Sequence, residues 1–440
     1  MEQSSMRLLI LTHQAMPRHL GGTEWLADRL ARDAMSGGHD VRLLTHVTAG
    51  AKRNTWGLRR SRADGIEMLE MHSNTAFAED PARAEYDDPF AAWCMEALLQ
   101  DFPAQAAVAF HGMKLSASVL QALQIAGIPL IVVLTDFWFL CPNHSLLRWD
   151  DSLCRGPRHA LDCVRCVHRA HRFLDGLWQE SPEPEMWESL TSRRHDGTLG
   201  PRTVRELSAL EDRPCFLMNI LNHAHAVVAL TAFARDLMIE RGVLPEKLRL
   251  LPHAPAMLVP ESHTQATVSI PVILMVGPVS HIKGAHVIVE ALKLIPEISV
   301  EVHCYGNVPQ NTYGESIREA AIADRRFQLK GLFSQEKLPG LLAHAAALVA
   351  PALWYENGPL AVKSALAAGV PVVASAVGCF PELRDDEHHG LLVARGDADA
   401  WAQALKRAAA GDLPRRPLPQ IPPEVWSREI LNLLPSMPHD

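Results

Sequence analysis

Short aliphatic runs recur along this chain, each followed by a polar loop and then by a stretch with helical spacing. That alternation constrains the fold more than any other feature. Leu8 to Thr12 reads as a buried strand, His13 to Gly22 as a loop, and Thr23 to Met35 as a helix with Leu26, Leu30 and Ala34 on one face. Gly37-Gly38 ends the helix and Val41 to Thr45 is the next strand. Ile66 to Met71, Ala107 to Phe110, Leu130 to Leu134 and Ala226 to Leu230 follow, separated by helical stretches such as Pro89 to Leu99 and Ser116 to Ala126. Such a βαβ series implies a mostly parallel, doubly wound sheet. A second series begins after the Pro/Ser/Thr-rich stretch Ala256 to Ile270, read as a linker. Its strands are Val272 to Val276, Val300 to Tyr305, Phe327 to Lys330, Ala347 to Ala350 and Val372 to Ala374, with helices such as Ala285 to Leu294 and Leu360 to Ala368. A chain of 440 residues is too long for one ordinary core and suits two domains.

Composition removes several classes of function. A formal net charge of -8 argues against broad nucleic-acid binding, which needs a basic excess. The apolar run at Ile128 to Leu134 is far too short to cross a bilayer. Met6 to Thr12 has too short an apolar core for a secretory signal and is followed by no small-residue cleavage site. Eight cysteines, four of them clustered, do not make a secreted disulfide framework in a chain this large, so a reducing cytoplasm is expected.

Ligands of open α/β sheets bind outside the carboxyl ends of the strands, and three loops there carry chemistry. The first, Pro17 to Glu24, sets Gly21 and Gly22 at a helix start, where backbone N–H groups can meet a phosphate or a sugar hydroxyl. The plainer alternative is a turn with Thr23 as the cap. The second, Val276 to Gly284, places Lys283 at another helix start, as an anion ligand or a solvated cation. The third is Trp354 to Leu366, in which Glu356 precedes Asn357, Gly358, Pro359 and Leu360. The backbone N–H groups of Asn357, Gly358 and Leu360 suit a phosphate, whereas Pro359 has none to offer. Here the alternative is a carboxylate placed at a helix start by the macrodipole alone. If helix geometry held from 356 to 364, Glu356 and Ser364 would lie about 12 Å apart on one face.

The third loop resembles the sugar-nucleotide motif of GT-B family 4, the retaining glycosyltransferases that write two glutamates eight positions apart; here Ser364 takes the second place. Lys283-Gly284 matches the family's phosphate lysine, while Pro278 stands where an arginine is usual. Ile128 to Pro142 resembles the family's strand and loop with Thr135 in place of a histidine, leaving Asp136 and His111 as candidates for the acceptor side. Leu230 to Arg235 and Leu251 to Ala254 resemble scaffold signatures, and Gly378 to Glu382 the loop after the donor site.

The resemblance implies two Rossmann-like domains facing across a cleft: an acceptor domain at 1–255, with a cysteine-containing insert near 141–217, and a nucleotide-sugar domain at 271–412. A segment at 413–440 would cross back to the first domain. It implies transfer of a hexose from a nucleotide-diphosphate sugar to a glycan or lipid-linked acceptor, with Glu356, Asp136 and His111 as catalytic residues. Gly21, Gly22, Lys283, Asn357, Gly358, Leu360 and Ser364 would hold the donor. No cofactor is expected in the chemistry. The departures at Pro278, Thr135 and Ser364 leave a non-catalytic nucleotide-sugar or glycan-binding protein as the alternative, and a sugar-nucleotide epimerase as a third reading.

The insert brings Cys141, Cys154, Cys163 and Cys166, the last two as CxxC. Four thiolates at loop spacings suit a structural zinc; a redox CxxC or four ordinary cysteines are the alternatives. Lys52, Arg53, Arg59, Arg60 and Arg62 around Trp56 read as a basic loop, either solvated or in peripheral contact with an anionic membrane. Phe90, Trp93 and Leu98 read as core.

Overall fold

The computed structural model describes residues 5–50, 56–157, 161–168, 192, 197, 200–255, 270–383, 390–419 and 421–435. Lys52, Arg53 and nearly all of the expected linker fall outside these residues. The chain divides into two compact units, one of Met1–Ala229, Arg235–Leu250 and Ser427–Asp440, the other of Leu230–Ala234 and Leu251–Trp426.

The first unit runs β1 (Arg7–Thr12), α1 (Gly22–Ser36), β2 (Asp40–Thr48), β3 (Gly57–Ala63), β4 (Ile66–Ser73), α2 (Pro81–Ala84), α3 (Pro89–Asp101), β5 (Ala106–Ala109), α4 (Ser118–Ile125), β6 (Leu130–Leu134), α5 (Leu161–His168), α6 (Pro201–His223), β7 (Ala226–Ala229), α7 (Ala232–Glu240) and β8 (Leu248–Leu250). Its sheet order is β3-β4-β2-β1-β5-β6-β7-β8, parallel throughout except for the β3/β4 pair. Leu8 to Leu11 and Ile131 to Val133 are wholly buried, as central parallel strands covered on both faces require.

The second unit runs β9 (Val272–Val276), α8 (Ala285–Lys293), β10 (Glu301–Tyr305), α9 (Thr312–Ala323), β11 (Phe327–Gly331), α10 (Leu338–Ala343), β12 (Ala345–Ala350), α11 (Leu360–Ala367), β13 (Val372–Ser375), β14 (Gly390–Val393) and α12 (Ala398–Ala410), and α13 (Pro423–Asn432) follows at the end of the chain. Its order, β11-β10-β9-β12-β13-β14, is all parallel and doubly wound. Chain order reverses between β9 and β12 here, and between β1 and β5 in the first unit. These are the switch points at which such sheets leave a crevice for ligand.

Three expectations need correction. The basic stretch is no loop: Gly57–Ala63 is an antiparallel edge strand whose side chains are mostly exposed, so it carries no apolar alternation to reveal it. Phe90 and Trp93 are not core, being 61% and 62% exposed. The buried face of α3 is Ala91, Cys94, Met95 and Leu98, and positions 90 and 93 fall on the other side. The end of the presumed insert is scaffold, since α6 is fixed to the unit by Tyr86 Oη donating to the Ala209 carbonyl (2.8 Å) and Gln124 Nε2 to that of Ile220 (2.8 Å).

Candidate functional site

At the switch point of the second unit, the loop after β9 and the loop after β12 are in contact. Gly284 has φ +76°, and a Cβ there would lie 1.9 Å from the Pro351 carbonyl oxygen, so no larger residue fits. The Leu353 N–H donates to the Ile282 carbonyl (2.8 Å). This close approach delivers Lys283 to Glu356: Nζ lies 2.6 Å from Oε1, and Trp354 Nε1 donates to the same oxygen at 2.8 Å. The lysine also lies 5.1 Å from the Trp354 ring centroid. The glutamate side chain is 7% exposed and the lysine 25%, so the cation has the freer path to a ligand.

The segment 356–359 is not helical. Helix α11 begins at Leu360, with Pro359 as N-cap and no side chain capping it. Its first N–H groups and positive dipole end therefore remain available to an anion. The single helical face from 356 to 364 does not exist. Ser364 is fully buried inside α11, and its Oγ has no hydrogen-bond partner among the described residues. The Gly358 N–H, expected to face a phosphate, donates to Cys379 Sγ (3.2 Å) instead. That sulfur is a neutral thiol, because burial pushes its pKa up to about 12. The Gly358 carbonyl lies 2.5 Å from His253 Nε2, and Asn357 Oδ1 accepts from Thr231 Oγ1 (2.9 Å). Lys363 Nζ donates to the His253 carbonyl (2.8 Å), and burial lowers its pKa to about 8. Glu382 accepts the backbone N–H groups of Ala232 and Phe233. Thr231, His253, Trp354 and Cys379 thus hold the loop, and no sequence spacing marks them as its partners.

In the first unit the structure brings His111 and Asp136 together. The Met113 N–H donates to His111 Nδ1 (3.0 Å), which leaves the proton on Nε2, pointing 2.7 Å to Asp136 Oδ2. Asp136 Oδ1 accepts the Trp138 N–H (2.8 Å). Burial opposes ionisation of Asp136, but the adjacent imidazole and these donated hydrogen bonds outweigh it and hold the carboxyl below its usual range. The pair is therefore a fixed anion with an oriented imidazole. His13 approaches the His111 ring at 4.6 Å and lies 3.4 Å from Glu24; burial lowers its pKa to about 2. Neither His13 nor Glu24 was evident as a site residue, because each is a single polar residue at an element boundary.

Gly21 is the N-cap of α1, and the Glu24 carboxylate folds back over it; a Cβ on Gly21 would meet Glu24 Oε2 at 2.2 Å. This is half of a capping box, so Gly21 has a structural reason to be glycine, and Thr23 is not the cap. Gly22 is the first residue of the helix. Arg18, in the loop before α1, pairs with buried Glu70 at 3.0 Å. His281, in the loop after β9, stacks on His286 with ring centroids 4.8 Å apart.

Residues 270–410 match the family described as Glycosyl transferases group 1. A D-inositol 3-phosphate glycosyltransferase of Corynebacterium aurimucosum is 28% identical over 303 residues, 65% of this chain and 64% of that protein. The amylovoran biosynthesis glycosyltransferase AmsK of Erwinia amylovora is 28% identical over 206 residues, 43% of this chain and 46% of its own. These matches span less than two thirds of the relatives' own lengths. Among solved structures, the sucrose-phosphate synthase of Thermosynechococcus elongatus aligns with TM-score 0.62 at 17% identity, covering 97% of this chain and 94% of that one. HepE of Anabaena, in complex with UDP and glucose, aligns with TM-score 0.60 at 16% identity, covering 97% and 98%. The fold is GT-B, two α/β units matching glycosyltransferase structures, and the residues that match the group 1 family lie in the second unit.

Proposed function

We propose that this chain is a retaining glycosyltransferase that moves a hexose from a nucleotide-diphosphate sugar to a hydroxyl acceptor in glycan or glycolipid assembly. The observation that carries this reading is the Lys283–Glu356 pair beside the uncapped start of α11, at a switch point. A diphosphate arriving there competes with Glu356 for the lysine. Once Lys283 turns to the phosphates, the carboxylate is free to accept hydrogen bonds from the sugar hydroxyls. As the bond from the anomeric carbon to the diphosphate oxygen breaks, the acceptor oxygen bonds on the same face and its proton passes to the departing diphosphate. Lys283 and the helix start meet the developing charge, so the reading assigns that task to no metal.

The His111–Asp136 pair is assigned to the acceptor side, as a fixed anion for an incoming hydroxyl. Exposed Phe90 and Trp93 share the first unit with the arginine-bearing edge strand, and Trp56 Nε1 bonds Asp88 at the N-cap of α3 (3.1 Å). Two exposed aromatics on a unit that also carries an exposed arginine-bearing strand favour a lipid-linked acceptor and peripheral membrane contact. The naming of the Erwinia relative for amylovoran biosynthesis supports glycan assembly, and the UDP and glucose held by HepE support a nucleotide-sugar donor.

The second reading, a non-catalytic binder, is favoured by Pro278, Thr135 and Ser364. A thermal-shift screen of UDP-, GDP- and ADP-sugars tests the donor class. Stabilisation by a nucleotide sugar and its diphosphate, but not by the nucleoside, is expected; stabilisation by none of them removes the donor site.

A further inference from the structure

Cys141, Cys154, Cys163 and Cys166 belong to neither site. The first two come from the loop after β6. That loop folds into a small hairpin, with an antiparallel bridge between Leu147 and Leu153, the Arg148 N–H donating to Ser152 O (2.9 Å) and the Cys154 N–H to Leu146 O (2.8 Å). Three of its non-glycine residues, His144, Leu146 and Asp151, have φ of +51°, +52° and +63°. Left-handed residues cost free energy and persist where the surroundings demand them. The other two cysteines stand three residues apart on α5, which packs Val164 against Leu207 and Leu210 of α6 with Cys163 alongside. Asn143 Nδ2 donates to the Cys166 carbonyl (2.6 Å) and ties the two segments together.

The Asn143 bond sets Cys166 beside the hairpin that carries Cys141 and Cys154, and Cys163 stands one turn earlier on the same helix. Backbone N–H groups are aimed at the sulfurs: those of Leu146 and Asn143 at Cys141, and that of Trp149 at Cys166. Arg148 donates to Cys154. Donors aimed at sulfur favour a thiolate. All eight cysteines are free thiols. Four free thiols, one buried and three half-buried, are thus carried by a hairpin bent against its backbone preference and by the helix tied to it.

We propose that Cys141, Cys154, Cys163 and Cys166 form a structural tetrahedral site for one zinc ion, joining the hairpin to α5. Four sulfur ligands suit zinc and leave no open position for chemistry. Among the described residues no three of His, Cys, Asp and Glu already form a metal-holding group. The consequence reaches the first site. The Cys141 N–H donates to Phe137 O, and Arg213 donates to Trp138 O, in the same loop that holds Asp136. The metal therefore fixes the backbone whose Trp138 N–H orients that carboxylate.

The test uses the full chain purified without added metal. Elemental analysis should give about one zinc per chain, and the double variant Cys163→Ser/Cys166→Ser should lose it, while Cys215→Ser, at an exposed cysteine, keeps it. Should the double variant not fold, cobalt substitution into the wild-type protein gives the answer through tetrahedral d–d bands and thiolate charge transfer. Release of protons on adding zinc to metal-free protein is a second expected result. Absence of zinc together with absent cobalt bands, or disulfides joining these cysteines, overturns the proposal.

Discussion

Replacing Glu356 by Gln should tighten the binding of a free nucleoside diphosphate while it impairs transfer. In the ligand-free protein the carboxylate holds Lys283 at 2.6 Å, so a diphosphate must break that bond before it gains the cation. A hydrogen bond to a charged group is worth about 1.5–3 kcal/mol, and neutralising one partner removes roughly 1 kcal/mol of the competition. The Gln variant should therefore bind the diphosphate about fivefold more tightly. Lys283→Ala loses the phosphate bond but also the cost of releasing Glu356. The net loss is about 1–2 kcal/mol, a weakening of about 5- to 30-fold for the diphosphate, with little change for the nucleoside. Calorimetric titration of the wild type and both variants with nucleoside and nucleoside diphosphate reads all six affinities. Equal losses for both ligands in Lys283→Ala, or a Gln variant that binds the diphosphate as weakly as the Ala variant, would refute the exchange of the lysine between carboxylate and phosphate.

Ser364→Ala should be neutral or stabilise the fold by up to about 1 kcal/mol in urea unfolding, because it removes a buried hydroxyl without a partner; a loss above that would reveal a partner. Asp136→Asn keeps an acceptor for His111 but removes the anion, so turnover should fall at least about tenfold with nucleotide affinity unchanged; unchanged turnover would remove Asp136 from the chemistry. Burial lowers His13 to about 2, His46 to about 4 and His253 to about 3. Below about pH 6.5 the unfolded chain takes up protons that the folded one refuses, so stability present above that pH should be lost steadily down to pH 4. Melting temperatures at pH 7 and 5 check this, and His46→Gln should flatten the slope; an unchanged slope would place the dependence elsewhere.

The two βαβ series were legible because buried parallel strands are continuous apolar runs: Leu130–Leu134 and Val272–Val276 lie where the residues place them. Edge strand β3 was illegible because Arg59, Arg60 and Arg62 face solvent, and three-residue β8 is too short to show a pattern. The site was legible as types at strand ends, with Lys283, Glu356, His111 and Asp136 all standing there. Their partners were not. That Lys283 meets Glu356, and that Cys379 takes the Gly358 N–H, depend on loops from different strands touching at glycines, which no local spacing encodes. Gly21 shows the reverse case, a glycine read for ligand contact that the Glu24 carboxylate already explains.

The most direct measurement of the central claim is consumption of UDP-, GDP- and ADP-sugars by the purified wild-type protein, with released diphosphate and sugar products identified by mass spectrometry. Glu356→Gln serves as control. Glycosyl transfer predicts that at least one nucleotide sugar yields nucleoside diphosphate together with a free or transferred sugar, and that Glu356→Gln slows this about 100-fold or more while still binding the diphosphate. A nucleotide sugar that binds yet stays intact, or returns only as its epimer, would contradict it.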